Sequence, residues 1–162
     1  MTWRRLVREI AREYQSVRPL RYHRSYPSDL STGASVPGDQ IIDLGPPEYM
    51  GWEVLALHWQ ISAVAGPIFP TINVVDKSGA VILPIHLMPV NMGDTLLVYF
   101  MQGAAFGVQS VPGITGQLYP LPMDGELKSE RLQLYCDGGV AADEHSAIVY
   151  YEEFDWPPGR DS

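Results

Sequence analysis

The 162-residue chain is long enough for one domain with an arm or tail, and its 46% hydrophobic content excludes wholesale disorder. Only 19% of its residues are charged, a sparse coat that suits a protein hiding part of its surface against partners. Fifteen glycines and fourteen prolines point to many turns, as in an all-β protein, and the lone Cys136 excludes both an internal disulfide and a Cys-only zinc site.

Charge is divided unevenly along the chain. Residues 1–25 hold seven arginines against Glu9 and Glu13, a net of +5, so residues 26–162 carry −13 of the overall −8. A basic arm on an acidic body meets either phosphates or an acidic protein surface. The arm has no lysine, no glycine-rich tract and no nucleic-acid motif, which favours the protein surface over nucleic acid.

Residues 1–18 read as an amphipathic helical arm. Trp3, Leu6, Val7, Ile10, Tyr14 and Val17 recur at spacings of three and four and form one stripe, with Arg5, Arg8 and Arg12 off it. Thr2 is the expected N-cap, and Pro19 ends the pattern. A helix of about four turns is marginal alone in water and needs a surface to pack on, in its own chain or in another. Residues 19–50 are dense in turn formers and read as an extended linker or wrapping segment, with Ile41 to Leu44 as a short edge strand.

The body spans 51–154. From Trp52 to Val64 the residues alternate, placing Leu55, Leu57, Trp59 and Ile61 on one face and His58, Gln60 and Ser62 on the other. Asp76-Lys77-Ser78-Gly79 is a hairpin turn between Thr71–Val75 and Ala80–Met88, where Pro84 marks an edge or a bulge. Asn91 to Asp94 turns into a strand over 95–101, and Gln102–Gly116 reads as an apolar loop free of charge. Arg131–Cys136 and His145–Phe154 alternate again, the latter with Ala147, Val149 and Tyr151 on one side. Residues 155–162 form a tail. Seven or eight strands at this spacing predict an all-β, antiparallel β-sandwich with an N-terminal helical arm. The two charge-free stretches, 54–75 and 95–123, are broken by glycines and prolines, so neither is a membrane span, and charged residues interrupt every candidate leader after Met1.

Chemistry-bearing patterns are sparse. No histidine lies two to five residues from another histidine or from the cysteine, and no nucleophile elbow or phosphate loop occurs. Cys136 reads as a buried structural thiol, and no catalytic residue, metal ligand or cofactor is expected. The acidic pairs Asp143-Glu144 and Glu152-Glu153 lack the spacing of a calcium loop. Trp52, Trp59, Tyr99, Phe106, Tyr150 and Tyr151 read mainly as core, and the alternative use for them is a sugar platform in a glycan-binding β-sandwich.

The order of features over residues 52–154 resembles the jelly-roll virion proteins of tailed bacteriophages, of the head decoration and head–tail neck kinds. The likeness rests on three segments. They are the 71–88 hairpin around Asp76-Lys77-Ser78-Gly79, Leu121-Pro122-Met123-Asp124-Gly125 feeding Arg131–Cys136, and Ala142-Asp143-Glu144-His145-Ser146 leading into Ile148-Val149-Tyr150-Tyr151-Glu152-Glu153. The resemblance implies a non-enzymatic part of a virion, bound to copies of itself and to other virion proteins such as the major capsid protein. On this reading the assembly surfaces are the arm (Trp3, Leu6, Val7, Ile10, Tyr14, Arg5, Arg8, Arg12) and the apolar loop (Phe106, Val108, Val111, Ile114).

Overall fold

The computed structural model describes residues 22–27, 36–48, 50–121 and 126–155. The helix expected over 1–18 lies outside them, as does the tail expected over 155–162 apart from Asp155, which ends a strand. The described chain is all β. Its spine is the antiparallel pair β4 (Met50–Ser62) and β12 (Glu144–Asp155), in register from Met50 opposite Asp155 to Ser62 opposite Glu144. Both strands are rich in β-branched and aromatic residues at period two, which fits a pleated surface with one buried face.

The larger sheet builds outward from this pair. On one side β12 takes β1 (Tyr22–Pro27) and the short β2 (Val36–Pro37). On the other, β4 takes β7 (Thr95–Met101) and the short β10 (Glu126–Leu127), and beyond β7 lie β9 (Ile114–Pro120) and β8 (Gly107–Val111). A second sheet has the order β3 (Ile42–Leu44), β11 (Arg131–Asp137), β5 (Phe69–Val75), β6 (Val81–His86). One hydrophobic core draws on both, with Leu57, Trp59, Val98 and Val149 from the larger sheet and Ile72 and Leu134 from the smaller.

Several elements stand where the sequence puts them. Asp76 Oδ1 accepts from Ser78 N (2.8 Å), Ser78 Oγ (2.7 Å) and Ala80 N (3.0 Å), closing the β5–β6 turn, and Pro84 lies in the edge strand β6. Within the 19–50 segment, β1, β2 and β3 are hydrogen-bonded into the sheets, and β3 is an edge strand of the smaller sheet within the expected 41–44 stretch. Other expectations need correction. Gln102–Gly116 is not an open loop. It holds β8 and the start of β9, joined through Pro112-Gly113 with Gly113 at φ 78°, the left-handed position that a type II turn requires after proline.

Leu55 also departs from its expected face. Register runs from Tyr150 opposite Ala56 to Tyr151 opposite Val54, which leaves Leu55 as the extra residue of a β-bulge. The bulge shifts the alternation by one, so Val54 and Trp52 turn inward and Leu55 is only half-buried. Trp52 then stacks on Tyr151 at 3.9 Å.

A polar knot ties the start of the described body to its end. Buried Asp143 accepts from Val64 N (2.6 Å) and Ala65 N (3.0 Å) at Oδ1 and from Val140 N (2.9 Å) at Oδ2, while its carbonyl accepts from Gly38 N (2.7 Å). The chains approach so closely that a Cβ on Gly38 would stand 2.5 Å from Asp143 Cβ, so glycine is required there. Next in the chain but one, buried His145 accepts from Trp59 Nε1–H at Nδ1 (3.2 Å) and donates from Nε2 to the Gln40 carbonyl (2.9 Å). An indole N–H only donates and a carbonyl only accepts, so these partners select the neutral Nε2–H tautomer.

Burial opposes ionisation of Asp143, but the backbone N–H groups of Ala65, Val140 and Val64 outweigh it and hold its carboxyl below the ordinary value of 3.8. Asp143→Ala orphans three backbone donors and should lower unfolding stability by roughly 2–4 kcal/mol, read as a fall in urea midpoint at unchanged slope. Burial likewise pushes His145 below 6.5, against the raising effect of the Gln40 and Pro37 carbonyls, and desolvation lowers His58 as well. A folded state that binds protons less readily than the unfolded chain is fully stable above the unfolded value and loses stability as pH falls below it. The urea midpoint should therefore drop between about pH 7 and pH 5, less steeply in His145→Gln, where His58 still contributes. A midpoint that rises over this interval would contradict a neutral His145.

Candidate assembly surface

The four loop residues expected at an interface all belong to the β8–β9 unit and its approach. Phe106 is 61% exposed, Val111 55%, Val108 51% and Ile114 44%, although each is apolar. The geometry of the sheet explains why they stand out. β9 inserts between β7 and β8 and runs parallel to β7, Thr95 facing Ile114 and Met101 facing Pro120, so β8 becomes the sheet's outermost strand. A parallel neighbour needs a long connection, and here β8 itself supplies it.

The register divides the four residues between two faces. Gln117 and Tyr119 stand beside Val98 and Phe100, on the side of the core, and Tyr119 stacks on Phe100 at 5.1 Å. Val108 faces Gln117, and Phe106 meets Tyr119 at 5.2 Å, so both lie on the inward side, past the edge of the core. Val111 pairs with Ile114 next to Thr95, on the opposite side. The unit therefore presents apolar groups on both faces of a sheet edge, a surface suited to being enclosed. The arm residues Trp3, Arg5, Leu6, Val7, Arg8, Ile10, Arg12 and Tyr14 lie outside the described residues.

The expected aromatic core is only half realised. Trp52, Trp59 and Tyr151 are buried, whereas Tyr99, Tyr150 and Phe106 are exposed. Tyr99 and Tyr150 stand on the outer side of the larger sheet and Phe106 on the inner side, so the three do not make one platform. The sequence signal for the exposed pair was present, since both fall at the positions opposite the core phase of their strands.

The histidines are dispersed. His58 stacks face to face on Tyr99 at 4.5 Å, His86 shares a 3.1 Å hydrogen bond with Thr71 Oγ1 in the smaller sheet, and His145 is held in the knot. Among the described residues no three His, Cys, Asp or Glu side chains converge as metal ligands. Asp143, considered above for calcium, spends its oxygens on backbone donors.

Cys136 is buried in β11, and burial together with nearby Asp143 pushes its thiol up to about 12. A thiol held protonated and enclosed is a poor nucleophile. Folded protein should therefore resist alkylation at pH 8 and react at one site per chain only in denaturant, as counted by intact mass. Compared with protein-family models, with curated proteins and with solved structures, the chain matches none of them.

Proposed function

We propose that this chain is a non-enzymatic structural protein of a tailed-bacteriophage particle, a capsid decoration or head–tail neck component. On this reading the two sheets make a jelly-roll-like sandwich, and residues 1–18 form a helical arm. The protein binds copies of itself and other virion proteins such as the major capsid protein. The observation that carries the reading is the edge unit β8–β9, where Phe106, Val108, Val111 and Ile114 are about half exposed inside a stretch free of charge.

The energetics agree with enclosure. Completing the burial of a half-exposed valine, isoleucine or phenylalanine contributes about 1 kcal/mol, so four such groups supply several kcal/mol toward association. The +5 arm and the −13 remainder add complementary charge, which favours contact between different surfaces of successive copies.

Sedimentation velocity over a wide concentration range tests this. The protein should form oligomers, or bind particles that lack it. Association should weaken between about 0.05 and 0.5 M salt as the charges are screened. The pair Val111→Glu and Ile114→Glu, both at exposed positions, should weaken association at least tenfold without changing the thermal midpoint. A monomer at every concentration, with no binding to depleted particles, would sink the reading.

A further inference from the structure

Each sheet ends in strands whose outer side is unpaired, and such an edge is a template for another chain unless something blocks it. Three of the four end strands carry a blocker. β1 holds Arg24 and Pro27, β3 holds Asp43, and β6 holds Pro84. β8, with the sequence Gly-Val-Gln-Ser-Val, has neither a proline nor a charge, and no further described strand pairs with it. Its neighbours β9 and β7 are also free of Asp, Glu, Lys and Arg.

The register shows which backbone groups of β8 face outward. Val111 and Ile114 flank the two-residue turn Pro112-Gly113 and form a hydrogen-bonded pair. Such pairs alternate along an antiparallel ladder, so Gln109 and Gly107 also turn their N–H and C=O groups toward β9. Val108 and Ser110 turn theirs away, to the open edge. These two residues lie symmetrically about Gln109. An antiparallel copy of the same edge, related by a two-fold axis at Gln109, therefore sets Val108 against the partner's Ser110 and Ser110 against the partner's Val108, each as a hydrogen-bonded pair. The same axis sets Val111 against the partner's Gly107, where even an added Cβ would meet nothing within its own chain. Exposed Phe106 comes opposite the partner's Pro112.

Two observations favour a copy of this chain as the occupant. The outward groups are complementary to themselves about Gln109, and charge permits the approach only here. Residues 26–162 carry −13, so two bodies repel across most of their surfaces. The stretch 95–123 is free of charge, and identical bodies can meet along it without opposed carboxylates.

We propose that β8 pairs antiparallel with β8 of a second copy about a two-fold axis at Gln109, joining the two larger sheets into one continuous sheet. This rests on the assembly reading above and assigns one of its contacts. The contact is isologous and closes as a dimer.

Cysteine crosslinking in the full-length chain tests the register. On the axis the two copies of Gln109 form a non-hydrogen-bonded pair with Cα atoms about 4.5 Å apart, within disulfide range. The two copies of Gly107 are offset by four residues along the strands, more than about 10 Å. Under mild oxidation Gln109→Cys should give a disulfide-linked dimer at least tenfold above Gly107→Cys, with buried Cys136 silent. Val108→Lys with Ser110→Lys sets like charges across the axis and should weaken association at least tenfold with an unchanged thermal midpoint. Mixing that chain with one carrying Val108→Glu and Ser110→Glu should restore pairing. If the lysine variant stays fully assembled, or the two cysteine positions link equally, the contact is wrong while the assembly reading stands. If the unaltered chain never associates and binds no depleted particles, the assembly reading itself fails and the contact with it.

Discussion

Pairing of β4 with β12 is the constraint on which the other described strands depend. These two strands are distant in the chain, Trp59 standing beside Ala147, and the rest of the larger sheet builds outward from them, β1 and β2 on β12, β10 and β7 on β4, then β9 and β8 beyond β7. Their inward residues, Leu57, Trp59, Ile61, Ala147, Val149 and Tyr151, floor the core that the smaller sheet shares. The polar knot sits at one end of the pair, where His145 and Asp143 join β12 to Trp59, the 64–65 loop and the 38–40 segment. Such distant pairing is entropically demanding to form, so folding of this chain depends on closing long loops.

The knot also shows how polar groups are used inside the body. Asp143 and His145 are each saturated by partners that arrive from separate segments, so they fix which segments lie together as well as adding stability. A neutral imidazole between an indole donor and a carbonyl acceptor accepts no third arrangement. Hydrophobic burial alone tolerates sliding of one strand past another, whereas these bonds hold only in one register.

Most of the strands were legible in the sequence because alternation and turn chemistry are local. The Asp76–Gly79 turn, the edge position of Pro84 and the inward set Ala147, Val149 and Tyr151 follow directly from period-two patterns and from residues that favour turns. What escaped depends on distant partners. Leu55 leaves its face because β12 lacks a residue to match it, and nothing within Trp52–Val64 records that mismatch. Tyr22–Pro27 has no alternation of its own and becomes a strand only because β12 offers an edge. The β8–β9 hairpin was readable in part through Pro112-Gly113, but the parallel seat of β9 beside β7 was not. Of the candidate surface, the apolar character of Phe106, Val108, Val111 and Ile114 was visible, while their division between two faces required the register.

The distribution of apolar residues on β7 carries the argument about layers one step further. A strand with one solvated face alternates between apolar and polar residues, whereas a strand covered on both sides is apolar throughout. β7 reads Thr-Leu-Leu-Val-Tyr-Phe-Met, with Leu96, Val98 and Phe100 in the core and Leu97, Tyr99 and Met101 on the outer side. Its central position in the larger sheet places that outer stripe in the middle of the face, flanked by Leu118 on β9 and by His58 and Ala56 on β4. Tyr99 and Met101 of this stripe are exposed, apolar side chains at the middle of a sheet and away from its edges. The smaller sheet already occupies the opposite side, through the shared core.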